Sequence, residues 1–178
     1  MYKTILTAIS VALFLNAGAQ SIDTAKKSPV RTLTYQQYND YLKGTAAADM
    51  AMVAEMNHFP LPDKVLKWKY ELDLSPTQVK KIEEINTYMH RRRLQIGGSV
   101  INTEKALDSL FRTHKIDDGT LIFYTNRYGL YQGELKNALL QACFATEKLL
   151  APQQIARLEA LQASPRPSPK EREKAATN

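Results

Sequence analysis

The chain has 178 residues, 44% of them hydrophobic, which predicts one domain with a buried core. Its 24 lysines and arginines exceed its 18 aspartates and glutamates, and the modest net charge of +6 affects solubility and association without identifying a partner. Cys143 is the single cysteine, so an intramolecular disulfide is excluded. A small buried side chain is favoured there over an intermolecular disulfide.

Residues 1–19 have the pattern of a secretory signal peptide. Lys3 is followed by an apolar stretch over residues 5–15, and the small residues 17–19 precede Gln20 as a cleavage site. The apolar stretch is too short to span a bilayer, and no cysteine follows it to accept a lipid anchor. We therefore expect an exported, soluble protein without stable membrane insertion, which meets unfolded polypeptides and anionic surfaces and not nucleic acid.

Helix signals dominate the rest of the chain. The expected organisation is a signal peptide over residues 1–19, a flexible segment over 20–33, an all-α domain over 34–162 and a disordered tail over 163–178. Thr34 is placed to cap a first helix, which the pattern allows to continue past Gly44 as far as Met56. Pro60 and Pro62 then break the helix, and a short helix is expected over residues 63–72.

A five-residue phrase occurs twice, as LSPTQ at residues 74–78 and as LAPQQ at residues 150–154. In the first copy, a serine cap, a proline in the first helical position and a glutamine in the third describe a helix start. In the second copy Ala151 lacks the capping hydroxyl, so we expect that turn to depend on its proline and on packing alone. The motif residues expected to be structural are Leu74, Ser75, Pro76, Gln78, Leu150, Pro152 and Gln154.

Between the two copies, apolar residues recur at alternating three- and four-residue steps in two long stretches. The first comprises Ile82, Ile85, Met89, Ile96, Val100, Thr103, Leu107 and Leu110, with Arg92 as its charged member. Gly97 and Gly98 lie within it and predict a bend or a close helix crossing. After a cap at Asp117, the second comprises Leu121, Tyr124, Tyr128, Tyr131, Leu135, Ala138, Ala142, Ala145 and Leu149. The pattern predicts a long antiparallel helical hairpin with short flanking helices.

The repeated phrase, the export signal and the long stretch between them resemble the LTxxQ family of bacterial periplasmic proteins, over about residues 45–162. The segment AEMNHFPLPDKVL at residues 54–66 adds to the resemblance. The resemblance implies a non-enzymatic hairpin that forms a homodimer, shaped as a curved bundle. Spy- and CpxP-like members are ATP-independent chaperones or envelope stress-response proteins, whose partners are unfolded or misfolded envelope proteins or a membrane stress sensor. ZraP- and CnrX-like members are periplasmic heavy-metal sensors or metal-binding resistance proteins, which is the alternative function.

Met52, Met56 and His58 are the candidate metal ligands. Thioethers and one imidazole suit cuprous ion, and the two methionines lie one helical turn apart. Methionines on an alanine-rich helix are also explained as core filler. Positions at which metal-binding relatives carry histidines hold Lys64, Leu139 and Cys143. A metal site of the family type is therefore not expected, and no other cofactor is implied.

The candidates for client binding are Arg91, Arg92, Arg93, Tyr124, Tyr128 and Tyr131. The arginine run suits acidic clients or anionic surfaces, with a solvated helix face as the alternative for its first and third members. Arg92 falls on the apolar stripe, so either its stem packs there or the stripe opens onto a partner. The tyrosines suit either a core or adaptable contacts. The histidines are scattered and no catalytic motif accompanies them, so no enzyme is expected.

Overall fold

The computed structural model describes residues 26–163, and all regular secondary structure in that range is helical. The helices are α1 (Tyr35–Lys43), α2 (Met52–Glu55), α3 (Pro62–Lys67), α4 (Pro76–Arg112), α5 (Asp118–Glu147) and α6 (Pro152–Ala163), with a 3-10 helix at Ala48–Ala51 before α2. The all-α prediction is confirmed. The predicted signal peptide and residues 164–178 of the predicted tail lie outside the described residues, whereas Ala163 ends α6.

Three of the helices begin with reciprocal capping boxes at the predicted caps, Thr34, Ser75 and Asp117. At the start of α4, Ser75 Oγ accepts a hydrogen bond from the Gln78 amide at 3.2 Å, and Gln78 Oε1 accepts one from the Ser75 amide at 2.9 Å. Each box satisfies two backbone donors that a helix start would otherwise leave unpaired. Local sequence alone therefore fixes where these helices begin.

Helix α1 does not continue past Gly44 toward Met56, which corrects the sequence-based expectation. Gly44 adopts the left-handed conformation, with φ of 63°, and its N–H donates to the Asp40 and Tyr41 carbonyls at the helix end. Glycine adopts this conformation without steric strain, so it ends the helix. The chain then resumes as the 3-10 helix and α2.

Helix α4, which is 37 residues long, packs along α5 and is crossed by α1. A Cβ atom added to Gly97 would lie 2.5 Å from the Tyr41 carbonyl oxygen, so only glycine admits this crossing. Gly98, in contrast, faces open space within 4 Å. The predicted close helix crossing is confirmed at Gly97. Within residues 26–163, no helix combines the length and apolar content that crossing a membrane requires.

Three buried clusters hold the fold together. They comprise Ala51, Leu61, Met89, Leu139, Ala142 and Cys143; Val65, Leu72, Ile82 and Leu158; and Val30, Leu33 and Ile101. The third cluster shows that Val30 and Leu33, in the segment expected to be flexible, pack against α4. From residue 104 to residue 134 no side chain is buried. We call this stretch the distal segment; it contains the end of α4 and the first half of α5.

Candidate binding surfaces

The two copies of the repeated phrase meet through Gln78 and Gln154. The Gln78 side-chain amide donates to the Leu149 carbonyl at 2.7 Å and to Gln154 Oε1 at 2.9 Å. The Gln154 side-chain amide in turn donates to the Leu72 carbonyl at 3.2 Å. The two glutamines therefore bond to each other and to carbonyls just before the other copy, and they tie the start of α4 to the start of α6.

This junction corrects the expectation that the second copy depends on Pro152 and packing alone. Gln154 Oε1 accepts a hydrogen bond from the Ala151 amide at 2.9 Å, which preserves half of a capping box without the missing hydroxyl. Leu74 and Leu150 pack against the cluster around the buried Leu158. These contacts give the phrase a structural role.

The arginine run separates into three environments. Arg91 is exposed, whereas Arg93 is only 9% exposed and donates to the Ala46 carbonyl at 2.8 Å. Burial lowers the pKa of the Arg93 guanidinium, while the nearby Asp63 and Asp40 carboxylates oppose that change. Arg93 therefore holds the loop after α1 and is corrected from a client-binding candidate to a buried structural residue.

Arg92 is half-buried and lines an open groove between α4 and α5, with a volume of about 520 Å³. Its guanidinium lies 3.5 Å from the Glu134 carboxylate. Two alternatives were open for Arg92: its stem packs in the stripe, or the stripe opens toward a partner. Its position at the groove agrees with the second. The groove is lined by Glu84, Ile85, Tyr88, Arg92, Glu134, Asn137, Ala138, Gln141, Ala142 and Ala145. We call it the α4–α5 groove.

The distal segment exposes large apolar side chains on more than one face. Phe111, Ile122, Phe123 and Leu130 are each more than half exposed. Sequence reasoning missed these residues, although LIFY at residues 121–124 carries a signal, because four consecutive positions point around the whole helix and cannot all face one core. The number of large apolar side chains exposed here makes the distal segment a candidate interaction surface.

The three residues of the predicted tyrosine stripe are all partly exposed, but they have different neighbours. Burial raises the pKa of the Tyr128 hydroxyl, and the neighbouring Tyr41 and Glu104 raise it further, so Tyr128 faces the other helices. Tyr131 accepts a hydrogen bond from Arg127 at 3.3 Å, and Tyr124 packs edge to face against Phe123. Tyr124 and Tyr131 therefore contact side chains of α5 itself, whereas Tyr128 lies beside Tyr41 of α1 and Glu104 of α4.

The three candidate metal ligands lie on α2 and the turn that follows it. Met52 is 56% and Met56 is 74% exposed, so they are not core filler. His58 has a positive φ of 70° and pairs through Nδ1 with Glu159 of α6. In the described part of the chain, no three His, Cys, Asp or Glu side chains are grouped as a metal site.

Burial raises the pKa of the Cys143 thiol to about 12.

Comparison with known proteins identifies no relative: no protein-family model, curated protein or solved structure matches the chain. The resemblance to the LTxxQ family therefore rests on the repeated phrase and its setting in the sequence. Two surfaces of the protein are available for partners, the distal segment and the α4–α5 groove.

Proposed function

We propose that the protein is a non-enzymatic binding module of the Spy- and CpxP-like kind, an ATP-independent chaperone or envelope stress-response protein acting in the periplasm. One observation carries the proposal: the distal segment exposes apolar side chains and buries none. Removing such surface from water on contact with a partner is favourable by about 25 cal/mol per Å². Unfolded polypeptides offer the complementary apolar side chains, and holding them requires no chemistry.

The charge of the distal surface supports a broad choice of clients. Between Asp118 and Gly133 the only charged side chains are Asp118 and Arg127. The Arg127 guanidinium lies 5.2 Å from the Phe123 ring centroid and 6.0 Å from that of Tyr131. On this part of α5 few charges need to lose water when a client binds, and a cation resting on aromatic faces adds contact for acidic side chains.

The proposal includes an antiparallel α4–α5 hairpin that dimerises as a curved bundle. The short connection over residues 113–117 and the packing of α4 on α5 support the hairpin. The unburied distal side chains support a second copy as an additional partner. Sedimentation equilibrium over a range of concentrations tests the dimer, and a constant monomer mass contradicts it.

Export is proposed from the pattern in residues 1–19. When the gene is expressed in a Gram-negative host, the protein recovered from the periplasmic fraction is expected to begin at Gln20, as measured by intact mass. Recovery of the uncleaved chain in the cytoplasmic fraction contradicts export.

The aggregation of a chemically reduced, denatured client tests the proposed function. At near-equimolar ratio, at low salt and without nucleotide, the purified protein is expected to suppress light scattering. The double variant Ile122→Ser/Phe123→Ser is expected to lose most of that effect, because it removes two exposed apolar side chains without opening a core cavity. Tyr70→Ser is the matched control, since Tyr70 is 80% exposed but lies outside the distal segment. No suppression, or equal loss in both variants, contradicts the proposal.

Metal binding is a second candidate, favoured by the exposure of Met52 and Met56 beside His58. Glu159 engages Nδ1 of the His58 ring, which orients the ring and leaves Nε2 as the nitrogen for a ligand. Calorimetric titration with cuprous ion, zinc and nickel tests this function. Binding that is lost in Met52→Leu/Met56→Leu/His58→Ala supports it, and binding unchanged in that variant contradicts it.

A further inference from the structure

We propose that the α4–α5 groove binds a polypeptide segment in which large apolar side chains are adjacent to a lysine or arginine. The inference rests on the proposed function and names the class of client sequence that one part of the molecule prefers. It follows from the juxtaposition of an apolar floor with carboxylates that outnumber the single guanidinium in the groove.

The floor of the groove is apolar because the side of α5 that faces it carries small residues. Ala138, Ala142 and Ala145 line the groove together with Ile85 of α4, and side chains as small as alanine leave space between the helices unfilled. The resulting volume of about 520 Å³ lies in the range of roughly 300–1,000 Å³ typical of ligand sites. A large aliphatic or aromatic side chain from a partner fits such a space.

The lining of the groove also includes polar side chains that make no hydrogen bond among the described residues. Asn137 and Gln141 are exposed, and among the described residues neither side chain makes a hydrogen bond. Tyr88 is 60% exposed at the lip, where its ring can cover an inserted side chain. Amides beside an apolar slot suit the backbone of an extended peptide, since they supply both donors and acceptors.

The charges of the groove favour a lysine or arginine next to the apolar side chain of the bound segment. Within the described range Glu84 forms no ion pair, and the Glu134 carboxylate has only the 3.5 Å contact with Arg92. The groove therefore carries two carboxylates against one guanidinium, although the whole chain has a net charge of +6. Glu84 and Arg92 are eight positions apart on α4, about 12 Å along the helix axis. Arg92 therefore does not neutralise the Glu84 carboxylate.

Fluorescence anisotropy with two labelled synthetic peptides tests the inference. Both contain the same phenylalanine and leucine pair, flanked by lysines in one and by glutamates in the other. The lysine peptide is expected to bind about tenfold more tightly at low salt, and the difference is expected to shrink as salt screens the carboxylates.

Two adjacent glutamates provide the matched variants. Glu84→Gln is expected to weaken binding of the lysine peptide about threefold, the effect of losing one exposed ion pair. Glu83→Gln makes the same change in net charge one position away, on the side of α4 that faces a different depression, and is expected to leave binding unchanged. Equal weakening by both variants overturns the inference, because it indicates a general effect of charge.

Two further variants test the apolar part. Ala138→Trp fills the groove and is expected to weaken the lysine peptide by more than about tenfold. Tyr88→Ala, at an exposed position that does not support the core, is expected to weaken it about threefold. A thermal melt checks that each variant is folded. Unchanged affinity in Tyr88→Ala together with Glu84→Gln overturns the inference even where Ala138→Trp is unfolded.

The outcomes separate this inference from the proposed function. Suppression of client aggregation without preference for the lysine peptide overturns the inference and leaves the chaperone function intact. Absence of both contradicts both. Peptide binding that falls as the protein concentration rises identifies a second copy as the occupant of the groove and also overturns the inference.

Discussion

The two halves of α5 are both rich in apolar residues, yet only the second half buries them. Leu135, Leu139, Cys143 and Thr146 are fully buried at steps of four and three residues. In the first half Ile122, Phe123 and Leu130 remain more than half exposed. The difference lies in the surroundings, because the 3-10 helix, α2 and α3 cover the second half in addition to α4.

Burial in this protein therefore follows from the number of elements that meet at a site and not from composition alone. The end of the molecule that contains the first two buried clusters and the Gln78–Gln154 junction, which we call the packed end, supplies most of the stability of the fold. The third cluster lies beside the distal segment, where Tyr41 contacts Gln132. The distal segment contributes little to folding and is available for partners. A region with few buried contacts also opens locally at lower free energy.

The largest expected difference in the free energy of unfolding is between alanine substitutions of two leucines on α5. Leu139→Ala is expected to lower the free energy of unfolding by about 3 kcal/mol, because it leaves a cavity in the core. Leu130→Ala, at a site 58% exposed, is expected to change it by less than about 0.5 kcal/mol. Urea denaturation gives both values. A large loss in Leu130→Ala would mean that the distal segment is packed in solution.

The two adjacent glycines of α4 test the close crossing of α1 over α4. Gly97→Ala is expected to destabilise the fold by about 2 kcal/mol, since its methyl group would displace α1. Gly98→Ala, which meets open space, is expected to stabilise the fold by about 0.5–1 kcal/mol through helix propensity. Thermal unfolding distinguishes the two, and equal effects would exclude the close approach of α1.

The glutamine junction is tested by a double-mutant cycle. Gln78→Ala and Gln154→Ala are each expected to lower the free energy of unfolding by about 1–2 kcal/mol, because both remove several half-buried hydrogen bonds. The coupling energy between them is expected to be about 1 kcal/mol. Additive effects of the two substitutions would show that the glutamines act separately.

The smallest effect is expected at a buried hydroxyl of the packed end. Thr146 Oγ1 is buried and has no hydrogen-bond partner among residues 26–163, so Thr146→Val is expected to stabilise the fold by about 1 kcal/mol. Thr103 is the control, since its hydroxyl donates to the Ser99 carbonyl at 2.9 Å and gains nothing on replacement by valine. Destabilisation by Thr146→Val in urea denaturation would indicate that the hydroxyl is paired.

Features governed by neighbouring residues could be predicted from the sequence. The caps at Thr34, Ser75 and Asp117 are correct because each depends on side chains within three positions. The sequence places Arg92 on the apolar stripe, but it does not reveal that the neighbouring Arg93 is the buried arginine. Arg92 and Arg93 both lie three or four residues from Met89 and Ile96, so spacing could not separate them. Arg93 is the buried arginine because it contacts the Ala46 carbonyl, and this contact joins distant parts of the chain.

The binding surfaces were harder to predict for the same reason. The apolar periodicity treats each member of a stripe as core, yet whether Tyr128 or Leu121 is covered depends on where α1 crosses. The sequence predicts Gln78 and Gln154 as helix-start residues, but their contact depends on the path of the chain between them. The α4–α5 groove arises from small residues opposite Ile85, a pairing that exists only in the folded protein.

Amide hydrogen exchange, followed by mass spectrometry with and without a denatured client, tests the central claim most directly. In the free protein, amides of the distal segment, residues 104–134, are expected to exchange before those of residues 135–147. Addition of the client is expected to slow exchange across the distal segment. Equal exchange in the two halves of the free protein, or no added protection over residues 104–134 with a bound client, would contradict the account.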